Sequence, residues 1–167
     1  PMKNIVLIGM PGCGKTTIGK LLAEKLNKKF CDADEMLEAW EGKTIKELFA
    51  SGEEHFRDAE TRTIKRLSAE KGLVIATGGG VVKRPENMAM LGSSGVIIFI
   101  DRSPELICAD VDVESRPLLA EGRQRIFELY KERLGLYQKY RDFAVANEGQ
   151  VETVVTEIIN ELRKVER

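Results

Sequence analysis

Short uninterrupted apolar runs alternate along the chain with longer stretches whose apolar positions recur every three or four residues. Residues 5–8 (IVLI), 73–76 (LVIA) and 96–100 (VIIFI) are continuous and too short for ordinary helices, as strands buried on both faces would be. Residues 30–33 and 143–146 are shorter candidates for a fourth and a fifth. Between these runs lie helical stretches. Residues 16–26 place apolar groups at Ile18, Leu21, Leu22, Ala23 and Leu26; residues 123–137 place them at Ile126, Leu129, Tyr130, Leu134 and Tyr137. Residues 53–70 form a longer, more polar stretch. In 151–162, Val151, Val154, Val155, Ile158, Ile159 and Leu162 keep to one helix face. Strand–helix alternation predicts an α/β fold: a parallel sheet with right-handed crossovers and helices on both faces. Neither an internal repeat nor a linker divides residues 1–167, so one domain is expected.

Composition narrows the partners. A chain of 167 residues with 43% apolar and 32% charged residues can bury a core without staples. Its net charge of −1 gives no basic surplus for nucleic acid or an anionic membrane, so neither partner is expected. No apolar run approaches the ~20 residues of a membrane span, and the run at 5–9 does not read as a signal peptide. Cys13, Cys31 and Cys108 show neither metal-ligand spacing nor a disulfide framework, which suits a reducing, cytoplasmic setting. Pro1 before Met2 reads as a tag remnant, and the remainder as a free-standing enzyme acting as a monomer.

Chemistry enters directly after the first run. Gly9-Met-Pro-Gly-Cys-Gly14-Lys15-Thr16 is G-x-x-x-x-G-K-[ST] between a predicted strand and a predicted helix. Its glycines let backbone N–H groups curl around an anion, and the helix start aims a positive dipole end at it. A phosphate loop over residues 9–17 is expected, with Gly12, Cys13, Gly14, Lys15, Thr16 and Thr17 contacting a nucleotide. Lys15 would reach the β- and γ-phosphates and act in catalysis; the Thr16 hydroxyl would ligate Mg²⁺. Cys13, near a helix N-terminus, has two readings: a thiol of lowered pKa, or a small tolerated residue facing solvent or nucleotide.

Three further features address the acceptor. Asp32 and Asp34 end the second predicted strand, and alternation would put both on one face, where ligands of open parallel sheets bind. They suit organising Mg²⁺ waters and accepting a proton from an attacking hydroxyl; the competing reading of Asp34 is an N-cap for a helix beginning near Glu35. Gly78, Gly79 and Gly80 follow the third strand, either a close-approach surface or a flexible turn. Arg57 and Glu60 share one helix face. Arg133 interrupts the apolar stripe of its helix, facing a partner or bound anion, or else snorkelling. Arg116-Pro-Leu-Leu closes a polar stretch, 109–115, read as a lid at about 109–122 or a plain surface loop.

Taken in order, Gly-x-x-x-x-Gly-Lys-Thr, Asp32-x-Asp34, Phe56-Arg57-x-x-Glu60, Gly78-Gly-Gly80, Arg116-Pro-Leu-Leu and Arg133-x-x-x-Tyr137 resemble shikimate kinase over nearly the full length. The resemblance implies a nucleoside-monophosphate-kinase-like fold with a five-stranded parallel sheet, a substrate-binding region at about 34–61 and a lid. It implies phosphorylation of the 3-hydroxyl of shikimate by ATP with Mg²⁺. Carried to matching positions, Arg57 and Arg133 grip the carboxylate. Asp34 binds the ring hydroxyls and orients or deprotonates the attacker, with Gly79 against the ring and Glu60, Gly78 and Gly80 beside it. Arg116 acts from the lid on nucleotide and transition state, and Thr16 and Asp32 serve Mg²⁺, the latter through water. The chain departs from the family at Ala109, where many members carry an arginine beside the adenine, around Gly149–Val151, where a proline is common, and at Lys139-Tyr-Arg-Asp142. The first two departures predict looser nucleotide preference. Two other readings fit a phosphate loop: a gluconate or nucleoside-monophosphate kinase, which would call for a denser arginine cluster in the second case, and a nucleotide switch without an acceptor.

Overall fold

The computed structural model describes residues 3–114 and 120–165, without the side chains of residues 112–114 and 120. β1 (Asn4–Ile8) runs through the glycine loop into α1 (Lys15–Leu26). β2 (Lys29–Asp32) is followed by α2 (Ala33–Glu41), α3 (Ile45–Ala50) and α4 (Glu53–Ser68). β3 (Leu73–Ala76) leads through a 3-10 turn at Val81–Lys83 to α5 (Pro85–Ser94), and β4 (Gly95–Asp101) to α6 (Pro104–Glu114) and α7 (Ala120–Tyr140). β5 (Phe143–Ala146) and α8 (Val151–Val165) follow.

The five strands are all parallel in the order β2-β3-β1-β4-β5. β1 lies between β3 and β4, with Ile5 opposite both Val74 and Val96. Helices cover both faces of these central strands, which is why their sequences are apolar without alternation. β5 is an edge strand: Phe143 and Val145 are buried while Ala144 and Ala146 are exposed. α8 buries Val154, Val155, Ile158 and Leu162 and packs on α1. Each such side chain contributes roughly 1.5–3 kcal/mol on burial.

Two local expectations change. β2 stops at Asp32, whose Oδ1 accepts from the backbone N–H groups of Asp34 and Glu35 at 2.9 and 3.2 Å. Asp32 is therefore the N-cap, and Asp34 lies in the first turn of α2 rather than in a strand or at the cap. A carboxylate satisfying two orphan N–H donors ends the strand one residue earlier than apolar pattern alone suggests. The polar stretch at 109–115 is helical through Glu114, because buried Ile107 and Cys108 anchor one face of α6. Of the rest of the expected lid, residues 115–119 with Arg116 lie outside the described residues, and residues 120–122 open α7.

α2, α3 and α4 hold a small core separate from that of the sheet, built on Leu37, Leu48, Phe56 and Ala59. α3 is fixed by a capping box in which Thr44 and Glu47 bond reciprocally at 3.1 Å. This unit carries the acceptor region.

Candidate active site

The loop after β1 lies at the centre of the sheet's carboxyl edge, at the floor of a cleft of 610 Å³. Gly14 takes φ 99°, and a Cβ there would sit 2.8 Å from Asn147 Nδ2. Glycine is thus required twice over at this position, by conformation and by space. Lys15 Nζ donates to the Gly9 and Met10 carbonyls at 2.5 and 3.0 Å, which holds its ammonium against the loop. Thr16 and Thr17 are exposed to the cleft. Cys13 is 0% exposed, packed beneath the loop, and burial pushes its thiol pKa up. The activated-thiol reading does not survive: the side chain belongs to the core, while the residue itself lines the cleft as a small group of the loop.

Asp32 and Asp34 line the same cleft, brought together by the strand-to-helix turn. Thr16 Oγ1 donates to Asp32 Oδ2 at 3.2 Å. Two hard oxygen donors beside a phosphate site match Mg²⁺, which takes few protein ligands and fills its octahedron with water and phosphate oxygens. Burial and then neighbouring Asp32 raise the Asp34 pKa, while the Lys15 ammonium pulls it back.

Beneath Asp34, Arg57 is 7% exposed and Glu60 3% exposed on the inner face of α4. Arg57 Nη1 donates to Glu60 Oε1 at 2.9 Å and Nε to Glu53 Oε2 at 3.3 Å, so two carboxylates fix the guanidinium plane. Burial moves Glu60 up and Arg57 opposes the shift. The triple glycine wraps this group. A Cβ on Gly78 would meet Asp34 Oδ1 at 3.0 Å and Glu60 Oε2 at 3.2 Å; on Gly79, Pro11 Cδ at 2.6 Å; on Gly80, Arg57 Nη1 at 2.6 Å. These glycines are a close-packed junction rather than a flexible turn. Arg133 is half-buried on α7 and acts electrostatically on Glu60 and Tyr137. The fold therefore gathers the phosphate loop, both aspartates, Arg57, Glu60, the three glycines and Arg133.

Other cleft residues escaped the sequence reading. Asn147 is 6% exposed directly after β5; its Nδ2 donates to the Cys13 carbonyl at 2.8 Å and its Oδ1 accepts from Gly149 N–H at 3.1 Å. Arg102, directly after β4, also lines the cleft. The signal that could have found both is positional, since each is the first polar residue beyond a strand's carboxyl end, where ligands of open sheets lie. Thr77 after β3 obeys the same rule, its Oγ1 donating to the Leu7 carbonyl at 2.7 Å.

Residues 11–163 match the family model described as shikimate kinase. The chain belongs to the shikimate kinase family. A shikimate kinase from Clostridium botulinum strain Eklund 17B is 51% identical over 158 residues, covering 94% of this chain and 96% of that protein. The structure of a shikimate kinase from Acinetobacter baumannii in complex with shikimate matches with a TM-score of 0.88 and 32% identity, covering 98% and 94% of the two chains. A gluconokinase from Sinorhizobium meliloti, covering 98% of this chain and 93% of its own, matches with a TM-score of 0.68 and 17% identity, a similarity of fold alone. Members of the shikimate kinase family are ATP-dependent kinases, and the cleft carries the phosphate loop that this chemistry requires. Among the described residues no helix is long and apolar enough to cross a membrane.

Proposed function

We propose that this protein transfers the γ-phosphoryl group of ATP to the 3-hydroxyl of shikimate, giving shikimate 3-phosphate and ADP. The observation that carries this reading is one cleft in which Lys15 and the phosphate loop face Asp34, with the fixed cation Arg57 immediately behind it. The loop's backbone N–H groups and Lys15 hold the β- and γ-phosphates. Thr16 and, through water, Asp32 hold Mg²⁺, which supplies charge neutralisation on the phosphates when bound. Asp34 accepts a hydrogen bond from the attacking hydroxyl and takes its proton; a pKa raised by burial suits a base more than that of an ordinary aspartate does.

Arg57 and Arg133 bind the substrate carboxylate, a planar anion that guanidinium groups match better than ammonium groups. Glu53 and Glu60 hold Arg57 in orientation before substrate arrives, which lowers the ordering cost of binding. Gly79 lies against the ring, and Arg116 brings positive charge to the transition state. The sparse cation set on the acceptor side fits one carboxylate rather than a nucleotide monophosphate.

A coupled measurement of ADP release with and without shikimate tests this. Release should depend on shikimate and collapse in Asp34→Asn and Arg133→Ala. Absence of shikimate-stimulated ADP from folded protein would overturn the proposal, and turnover indifferent to shikimate would favour a nucleotide switch.

A further inference from the structure

The sheet order divides the cleft into two flanks. Asp32, Asp34 and Gly78 come from the ends of β2 and β3, the phosphate loop from β1, and the opposite flank from β4 and β5. A nucleotide whose γ-phosphate points at Asp34 lays its nucleoside on that opposite flank. There the lining is mixed: Ile107 and Val111 on α6, Val151 at the start of α8, and the polar residues Arg102, Asp110 and Asn147.

Arg102 is 8% exposed and held from two directions. Its Nε and Nη2 donate to Asp110 Oδ2 and Oδ1 at 2.9 and 3.0 Å, and its Nη1 donates to the Asn147 carbonyl at 2.7 Å. A bidentate carboxylate on one edge and a carbonyl on the other lock a guanidinium plane, which a lysine could not reproduce. The result is a strut from α6 to the loop between β5 and α8, the two walls of the nucleoside flank.

We propose that the Arg102–Asp110 pair positions the nucleotide base by fixing the separation of these walls, so that a purine is held by its faces rather than read along its edge. The inference rests on the proposed function, since it needs ATP phosphates on the loop. Neither residue touches the transferring group, and both are positioning residues. Apolar Ile107, Val111 and Val151 supply ring contacts that adenine and guanine satisfy alike.

Titration calorimetry of the wild type, Arg102→Lys and Asp110→Asn with ADP, GDP and inorganic tripolyphosphate tests the pair. Affinity for ADP and GDP should fall by a similar factor, about tenfold for one lost charge-assisted contact, while tripolyphosphate binds as before. In turnover the change should fall on the KM for ATP rather than on kcat. An equal loss for tripolyphosphate would show that the strut merely supports the phosphate loop through Asn147 and would overturn the inference. So would unchanged ADP binding, or a shift in the ADP-to-GDP ratio, which would indicate edge reading. Should Arg102→Lys fail to fold, Asp110→Asn carries the test, since the Asp110 side chain is 42% exposed. A folded wild type that binds neither nucleotide nor tripolyphosphate would instead overturn the proposed function.

Discussion

The Tyr137 hydroxyl donates to the Gly79 carbonyl at 2.6 Å, joining α7 to the turn after β3 at the point where the acceptor should lie. Tyr137 is fully buried, stacks on Phe99 with ring centroids 5.0 Å apart, and has its phenol pKa pushed up to about 12 by burial. It therefore stays a neutral donor throughout the working pH range. Tyr137→Phe should keep the stack and leave the carbonyl unpaired, costing about 1–2 kcal/mol in denaturant unfolding. It should also raise the KM for shikimate more than the KM for ATP, and equal changes in both would contradict the role given to this contact.

Gly80→Ala tests the packing of the anion site. The new methyl would overlap Arg57 Nη1, 2.6 Å away, and push the guanidinium off its plane. Because Arg57 is also the partner of buried Glu60, the displacement affects binding and stability together. The KM for shikimate should rise about tenfold or more, a loss of roughly 1.4 kcal/mol in binding, with a lowered melting temperature. A variant with wild-type KM would remove Arg57 from the anion site.

Asp34 separates stability from activity. Its pKa in the folded state lies above the ordinary 3.8, so between the two values the folded chain holds more proton than the unfolded one. Its contribution to stability therefore falls as pH rises through that window and remains unfavourable above it. Asp34→Asn should unfold no more easily than wild type at neutral pH, while shikimate-dependent turnover drops about 10²- to 10⁴-fold. The acid limb of kcat/KM should lie above 3.8 in wild type, and a limb at or below that value would count against Asp34 as the base.

Asn147→Leu should behave unlike the Arg102 variants. It removes the Nδ2 bond to the Cys13 carbonyl and thereby one of the ties that hold the phosphate loop. Calorimetry should show ADP and tripolyphosphate weakened together, whereas loss of ADP affinity alone would assign Asn147 to the base instead.

The central strands were legible because full burial on both faces writes an unbroken apolar run, as in LVIA and VIIFI. The phosphate loop was legible because anion binding fixes residue types at fixed spacing. The acceptor unit was harder. α2 and α3 are short, and α3 depends on a Thr44–Glu47 box rather than on periodicity. Asp32 misled because a single side chain does two things: Oδ1 caps α2 while Oδ2 accepts from Thr16, and neither leaves a trace in hydropathy. The strut from Arg102 through Asp110 and Asn147 joins residues 45 apart in sequence, and only the sheet order brings them into contact.

The separate core beneath the acceptor region has a kinetic meaning. Leu37, Leu48, Phe56 and Ala59 are few beside the residues packed around the sheet, so α3, which rests on the small core alone, can open at a fraction of the free energy of global unfolding. α4 belongs to both, giving Phe56 and Ala59 to the small core and Ile64 and Leu67 to the large one, and so does α2, giving Leu37 to the small core and Ala33 to the large one. Amide protons of α3 should thus exchange with solvent well before those of β1, β3 and β4, with the boundaries falling inside α2 and α4.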